Sequence, residues 1–259
     1  MIGALCGDII GLVHEGAGTK TKGFPLFVPE SRFTDDTMLT VAVAARLLHG
    51  GTYVDLFHDY FHAYPLVGYG GTFAEWARLR KRAPYQSWGN GAAMRVSPIG
   101  IAANSLDEVL AEARRSAVVT HDHPEGLRGA QATAAAVFLA RTGAGKNDIR
   151  AELERTFGYR LRDRLDDIRD GYRFDVSCQG SVPPSIIAFL ESDSYEDAVR
   201  NAVSLGGDAD TMAAIAGGIA VAFYGDVPER IRGPALDRLD RPLRTIVEEF
   251  TERFGDRVT

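Results

Sequence analysis

Asp208 and Asp210 stand directly before Met212 to Tyr224, a stretch that contains no charged residue, and this junction constrains the fold most. A run of Ala, Ile, Gly, Val and Phe predicts a helix that is buried on all sides. The polar first turn of that helix must then point into the protein. Two buried carboxylates side by side cost several kcal/mol per ion unless a cation or strong donors compensate them. For a cluster of oxygen ligands, a divalent metal ion is the usual solution.

A second acidic cluster, Thr34-Asp35-Asp36-Thr37, precedes another apolar run with helical spacing, which begins at Met38. Thr and Asp are favoured helix caps, so a single aspartate here would need no function. Two consecutive aspartates between two threonines exceed what a cap requires. We expect the two acidic helix starts to meet at one rim of a helical bundle. Their four carboxylates carry a charge that two divalent cations neutralise, and oxygen ligands favour Mg²⁺ or Mn²⁺ over zinc or copper.

The first residues of the chain predict a short helix, residues 1 to 12, with Gly3, Gly7 and Gly11 on one face where another helix can approach closely. Asp8 within this helix is unusual, and a surface or salt-bridged aspartate is one interpretation. A long loop to Phe33 follows and carries Glu15. We consider Glu15 a candidate general acid or base, although an exposed loop glutamate would look the same in the sequence.

Two further segments carry candidate binding residues. Gly89-Asn90-Gly91 lies in a glycine-bearing loop before small residues, where backbone amides favour anionic groups such as phosphates, although most such tripeptides are only turns. His121 and His123 precede an Ala-rich helix predicted over residues 130–141. They are either functional or helix-capping histidines.

The remaining sequence predicts an all-α bundle in one domain spanning residues 1–259, because helical windows dominate and convincing alternating strands are missing. Residues 142–176 are interpreted as a solvent-exposed excursion without chemistry, and further helices are predicted over 185–190 and 235–254. The net charge of -6 argues against a broad basic surface for nucleic acid, while a local patch stays open. Cys6 and Cys178 lack metal-site spacing, and no stretch has the length of a membrane span, so we expect a cytoplasmic protein with reduced thiols.

Five segments in order resemble the ADP-ribosylglycohydrolase family, which includes the dinitrogenase reductase-activating glycohydrolase. They are GALCGDIIGLVHEG, FTDDT, SWGNGAAMRVSP, THDHPEG and LGGDADTMAAIAGG, and they extend from residue 1 to about residue 225. The resemblance implies a compact orthogonal helical bundle with a dinuclear Mg²⁺ or Mn²⁺ centre. It also implies hydrolysis of the bond between ADP-ribose and an acceptor, which is a protein side chain or a small molecule.

Carried over residue by residue, the resemblance implies a complete site. The implied metal ligands are Thr34, Asp35, Asp36, Asp208, Asp210 and Thr211, with Asp210 bridging the two ions and Asp36 and Asp210 acting in catalysis together with Glu15. The loop implied to hold the diphosphate of ADP-ribose comprises Ser87, Gly89, Asn90, Gly91 and Ala92, and His121 matches a residue near the ribose.

Two alternatives to this function stay open. The chain is either a dinuclear-metal hydrolase of another nucleotide or glycoside, or a non-catalytic ADP-ribose-binding or structural relative. Retention of all four aspartates argues against the non-catalytic alternative. We expect a monomer or a weak homo-oligomer whose partner is the ADP-ribosylated substrate, with no membrane partner.

Overall fold

The all-α architecture predicted from the sequence is confirmed in the computed structural model, which describes residues 1–255. Between these residues no β-strand forms, and extended segments meet at a single antiparallel bridge between Gly89 and Ser177. No helix in this range combines the length and the apolar character that a membrane crossing requires.

The α-helices are, in chain order, α1 (Ile2–Gly11), α2 (Asp35–His49), α3 (Tyr53–Ala63), α4 (Gly71–Arg78), α5 (Ser97–Ala102), α6 (Leu106–Val118), α7 (Pro124–Arg141), α8 (Lys146–Phe157), α9 (Leu165–Arg169), α10 (Cys178–Leu190), α11 (Tyr195–Val203), α12 (Ala209–Tyr224), α13 (Glu229–Leu236) and α14 (Arg241–Phe254). Two short 3₁₀ helices cover Leu12–His14 and Asn90–Ala92.

Helix α12 lies at the centre of the fold, and α1 packs directly along it. A Cβ atom built on Gly7 would lie 2.1 Å from the carbonyl oxygen of Ala213, and one on Gly3 would lie 2.3 Å from that of Gly217. Only hydrogen atoms fit at these positions. The predicted glycine face therefore exists, and it brings α1 close enough to α12 for Asp8 to reach the start of the central helix.

The two acidic helix starts are formed differently, because α2 has a side-chain cap whereas Asp208, the N-cap residue of α12, makes no side-chain capping bond. The Thr34 side chain accepts a hydrogen bond from the backbone N–H of Asp36 at the start of α2, and α12 begins after Asp208, whose carbonyl accepts from Met212. Residues Ala209 to Ala222 of α12 are all buried, as the uncharged sequence predicts. Burial of this long apolar surface holds the acidic start of α12 in a fixed position within the bundle.

Three helix predictions are wrong in extent. Helix α7 begins at Pro124 rather than at residue 130. Helix α10 begins at Cys178 rather than at residue 185, although Pro183 and Pro184 lie inside it. The missing N–H of Pro184 leaves the carbonyl of Gly180 without its usual helical partner, and the phenol of Tyr172 donates to that carbonyl at 2.9 Å.

The C-terminal segment forms two helices instead of one over residues 235–254. Asp240 caps the second by accepting from the N–H of Leu243, and Pro242 occupies its first turn. A cap followed by a proline is a helix start, so the chain turns between α13 and α14.

Candidate metal centre and ligand cavity

The starts of α2 and α12 meet, as predicted, although they are far apart in the sequence. The hydroxyl of Thr211 donates to Oδ2 of Asp36 at 3.1 Å, and this bond joins the two acidic clusters directly. The N–H of Thr211 donates to Asp210 at 2.9 Å and orients that carboxylate. Threonines and aspartates from both helix starts thus form one continuous polar cluster.

Carboxylates in this cluster form two groups that share Asp210. Oxygen atoms of Asp8, Asp36 and Asp210 lie within 4.8 Å of one another, and so do oxygen atoms of Glu15, Asp208 and Asp210. A single carboxylate common to two ligand groups is the arrangement that a bridging ligand between two ions requires.

Asp8 belongs to the first group, although the sequence did not single it out as functional. Its carboxylate is neither exposed nor salt-bridged. Its carboxylate is fully buried and accepts from the N–H and hydroxyl of Thr34, at 3.0 and 2.8 Å, and from the N–H of Thr37 at 3.1 Å. Asp8 therefore holds the first turn of α2 in place. The sequence feature that could have indicated this role is the presence of an acid inside a glycine-rich helix that carries no other charge.

Asp35 stands apart from both groups. It lines the cavity described below, and burial together with the charge of Asp8 raises the pKa of its carboxyl well above the usual range. The adjacent residue Asp36 points into the polar cluster instead. The two consecutive aspartates therefore face different parts of the site.

Burial and mutual repulsion make the cluster unfavourable when every carboxyl is ionised. Burial, followed by the charges of Asp8 and Asp35, raises the pKa of Asp36 well above its usual range, and burial with the charges of Asp36 and Asp208 does the same for Asp210. Oδ1 of Asp36 is buried without a hydrogen-bond partner in the described chain. Buried carboxylates that lack donors fit a hard divalent cation, which takes oxygen ligands and supplies the missing positive charge.

Glu15 reaches the second group from the long loop after α1. Glu15 is exposed to solvent, and partial desolvation of its carboxyl, with the nearby charges of Asp208 and Asp8, raises its pKa. Lys20 anchors this loop, because its ammonium group donates to the carbonyl oxygens of Arg169, Tyr172 and Leu205 at 2.6, 2.8 and 2.5 Å.

The loop also rests on the segment that leads into α12. A Cβ on Gly206, where φ is +66°, would lie 2.8 Å from the carbonyl of Thr19. The hydrogen bond from Lys20 to the Leu205 carbonyl and the contact between Thr19 and Gly206 tie the loop that carries Glu15 to the residues just before Asp208. The sequence did not indicate the role of Lys20, since a loop lysine is ordinarily solvated.

A cavity of about 520 Å³ opens onto the carboxylates, a volume in the range of small-molecule sites. Among the predicted site residues its lining includes Glu15, Thr34, Asp35, Asp36, Ser87, Gly89, Asn90, Gly91, His121, Asp208, Asp210 and Thr211. Ala92 is the exception, because it is completely buried and packs in the apolar core.

The glycine-bearing loop differs from a helix-entry anion site. It enters only the short 3₁₀ helix Asn90–Ala92, and the N–H of Gly89 donates to the hydroxyl of Ser87 at 3.1 Å. The Asn90 side chain donates to Asp208 at 2.7 Å and to Ser181 at 3.2 Å. Asn90 therefore supports the carboxylate cluster, which its position in the loop did not indicate.

The two histidines before α7 have separate roles. His123 caps α7 by accepting from the N–H of Glu125, whereas His121 lines the cavity. The capping interpretation therefore applies to His123 and not to His121. Burial, followed by the charge of Arg95, lowers the pKa of His121 well below its usual value, so the imidazole is neutral near neutral pH.

Residues 142–176 contribute to the site, contrary to our interpretation of them as a solvent-exposed excursion. Val176 lines the cavity, and a Cβ on Gly207 would lie 2.4 Å from the ring of Tyr172. Leu161 and Leu165 are buried in the main apolar core. The charged residues of this segment obscure an apolar minority that packs inward.

Comparisons with known proteins agree with the geometry. A family model described as ADP-ribosylglycohydrolase matches residues 1–258. ADP-ribosylhydrolase ARH3 from Homo sapiens is 30% identical over 311 residues, covering 88% of this chain and 86% of that protein. ADP-ribosylarginine hydrolase Tri1 from Pseudomonas putida (strain GB-1) is 27% identical over 257 residues, covering 87% of this chain and 69% of that protein. A solved structure, described as an ADP-ribosylglycohydrolase-related protein complex, superposes with a TM-score of 0.68 at 27% identity and covers 97% of this chain and 96% of that one.

Proposed function

We propose, from the premise that this chain belongs to the ADP-ribosylglycohydrolase family, that it hydrolyses the glycosidic bond between ADP-ribose and an acceptor. Its relatives include an ADP-ribosylhydrolase and an ADP-ribosylarginine hydrolase. We also propose that residues 1–259 form one domain of this type, since α1 and α12 come from distant parts of the chain and pack on each other.

The observation that carries the proposal is the pair of carboxylate groups joined through Asp210, of whose five carboxylates all but Asp8 line the cavity. A purely structural relative has no use for this cluster, because burying so many acids without compensation destabilises the fold. The buried Oδ1 atom of Asp36, which has no hydrogen-bond partner in the described chain, supports the same conclusion. The cluster is better explained by ligands that arrive from outside the chain.

We propose that Thr34, Asp35, Asp36, Asp208, Asp210 and Thr211 would hold two divalent cations, Mg²⁺ or Mn²⁺, with Asp210 common to both carboxylate groups and Asp35 joining them from the cavity lining. When bound, such ions supply positive charge that neutralises the carboxylates, orients the ribose hydroxyls and favours ionisation of water. Asp8 and Asn90 support this set. Asp8 fixes Thr34 and Asn90 fixes one oxygen of Asp208, so both orient their partners by hydrogen bonding.

Glu15 is the proposed acid or base. Its raised pKa brings the carboxyl closer to neutral pH, where proton transfer is most effective. It acts either as a base toward the attacking water or as an acid toward the leaving acceptor. Cleavage of a ribosyl C1 bond develops positive charge on the sugar, and the proposed role of Asp36 and Asp210 in that step is to hold the cations that would orient the ribose.

The part of the cavity lined by the glycine-bearing loop is the proposed binding site for the diphosphate and ribose. Ser87, Gly89 and Gly91 lie along it, and His121 faces the two glycines. Glycines let an anionic ligand approach the backbone closely. Holding the diphosphate beside the carboxylates would position the reacting carbon, and such positioning accounts for much of the rate gain in sites of this kind.

The test is release of free ADP-ribose by the purified chain in the presence of Mg²⁺ or Mn²⁺. Three substrates cover the acceptor classes: a serine-ADP-ribosylated peptide, an arginine-ADP-ribosylated peptide and O-acetyl-ADP-ribose. We expect turnover of at least one, loss of turnover with a chelator, and recovery on adding back the metal. Absence of turnover on all three, with metal bound, would overturn the proposal. Turnover of a different nucleotide or glycoside would favour a dinuclear hydrolase of another class.

A further inference from the structure

Two buried polar residues, Arg95 and Thr120, link the core to His121, and both Arg95 and His121 line the cavity. Nη2 of Arg95 donates to the carbonyl of Ser116 at 2.8 Å and to the hydroxyl of Thr120 at 3.1 Å. The Thr120 hydroxyl lies 2.7 Å from Nδ1 of His121. Arg95 and Thr120 are completely buried, and His121 is 5% exposed.

The direction of these hydrogen bonds follows from the chemistry of each group. A guanidinium group only donates, so the Thr120 oxygen accepts from Arg95. The Thr120 hydroxyl hydrogen then needs its own acceptor, because a buried donor without one is unfavourable. The hydrogen-bond contacts of this hydroxyl are to Arg95 and to Nδ1 of His121, and the 2.7 Å distance to Nδ1 is typical of a hydroxyl donor. The phenol of Tyr85 is a competing acceptor near the same hydroxyl, and the short distance to Nδ1 favours His121.

With Nδ1 accepting, a neutral imidazole carries its hydrogen on Nε2. This atom faces the glycine-bearing loop. A Cβ on Gly91 would lie 3.4 Å from Nε2, and one on Gly89 would lie 3.8 Å from it. Both glycines line the cavity, so the missing side chains leave room in front of Nε2 for part of a ligand.

We propose that Arg95 and Thr120 are positioning residues that hold His121 as its Nε2–H tautomer, so that the imidazole donates a hydrogen bond to an oxygen atom of the bound ligand. In this form Nε2 has no lone pair to accept a proton, and Nδ1 is occupied by Thr120. His121 therefore binds and orients the ligand but transfers no proton in the reaction. The identity of the ligand as an ADP-ribosyl compound rests on the proposed function, whereas the tautomer does not.

Nuclear magnetic resonance of the full-length protein labelled with ¹⁵N-histidine tests the tautomer directly. Two-bond proton–nitrogen correlations distinguish the two neutral forms, and His121→Gln identifies the signals of His121 by their loss. We expect a protonated Nε2 and an unprotonated Nδ1. Thr120→Val removes the hydroxyl at nearly constant volume and should give a mixture of tautomers, whereas Thr120→Ser should retain the wild-type pattern. An Nδ1–H form in the wild type would overturn the proposal, and so would an unchanged spectrum in Thr120→Val. The wild-type spectrum is decisive even if the valine variant does not fold.

Calorimetric titration with ADP-ribose in the presence of Mg²⁺ tests the consequence for binding. Thr120→Val should weaken binding about fivefold, the effect of losing one oriented hydrogen bond, and Thr120→Ser should restore it to within about twofold. The pH dependence of kcat should be the same in both variants, because His121 transfers no proton. A shift in that pH profile would contradict the donor role. Failure of ADP-ribose to bind the wild type would count against the proposed function and leave the tautomer result standing.

Discussion

Replacing Asp210 by Asn should stabilise the metal-free protein while removing its response to metal ions. Asp210 belongs to both carboxylate groups, and its oxygens lie within 4.8 Å of carboxylate oxygens of Asp36 and of Asp208. Two unit charges at such a distance repel by roughly 3 kcal/mol when the effective dielectric constant is about 20. Proton uptake limits this penalty, since a carboxyl with a raised pKa becomes neutral instead of bearing the full repulsion.

The asparagine variant should therefore gain about 2 kcal/mol near neutral pH, which corresponds to a melting temperature about 4 to 8 °C higher for a chain of this size. The gain should depend on pH. The pKa of Asp210 is raised in the folded protein, so its contribution to stability is fully present below the unfolded pKa and is lost as the pH rises through the folded value. The advantage of the variant should accordingly be small near pH 4 and grow toward pH 8.

Thermal unfolding followed by far-UV circular dichroism measures both effects, first with EDTA and then with Mn²⁺. At 100-fold excess over Kd each occupied site adds about 2.7 kcal/mol, so Mn²⁺ should raise the wild-type melting temperature by roughly 10 °C or more and the variant by much less. Asp237→Asn is the matched control, because its side chain is 75% exposed and makes a surface ion pair with Arg244. The reasoning is refuted if Asp210→Asn melts below the metal-free wild type at every pH, or if it keeps the full Mn²⁺ response.

Three further predictions concern the framework and the acid. Gly7→Ala should lower the free energy of unfolding by about 3 kcal/mol or more, since the new Cβ would lie 2.1 Å from the Ala213 carbonyl oxygen. Chemical denaturation measures this loss, and the control variant Gly23→Ala should leave the free energy of unfolding nearly unchanged. Lys20→Met should destabilise the protein by about 1 to 3 kcal/mol, because three carbonyl oxygens lose their shared ammonium donor. In this variant kcat should fall by a larger factor than KM rises. An unchanged kcat would show that Lys20 does not position Glu15. Glu15→Gln should lower kcat by about 10²-fold or more without unfolding the protein, and steady-state kinetics at saturating Mn²⁺ would contradict its role if kcat stayed within a few-fold.

Local signals in the sequence predicted the fold class and the meeting of the two acidic helix starts. Capping threonines and uncharged helices are short-range features, and the glycines of α1 have the spacing that a close helix contact requires. These signals suffice because the burial of α12 forces its polar start inward. They also explain why Asp36 and Thr211, which are 175 residues apart, form a hydrogen bond.

Hydrogen-bond partners that lie far apart in the sequence could not be predicted from such local signals. The sequence alone does not indicate that the buried Asp8 accepts from Thr34, that Lys20 binds carbonyls about 150 or more residues away, or that Asn90 supports Asp208. Each of these side chains has an ordinary solvated or turn-forming alternative. The start of α10 was missed for a different reason, because the phenol of Tyr172, eight residues before Gly180, satisfies the carbonyl that the proline leaves unpaired.

Anomalous diffraction from crystals grown with Mn²⁺ tests the central claim most directly, since it locates each ion without assuming a substrate. The account predicts two Mn²⁺ peaks at the base of the cavity, with Asp210 coordinating both and the remaining ligands drawn from the starts of α2 and α12. A structure with no ion at the carboxylates, or with ions that do not touch Asp210, would contradict it.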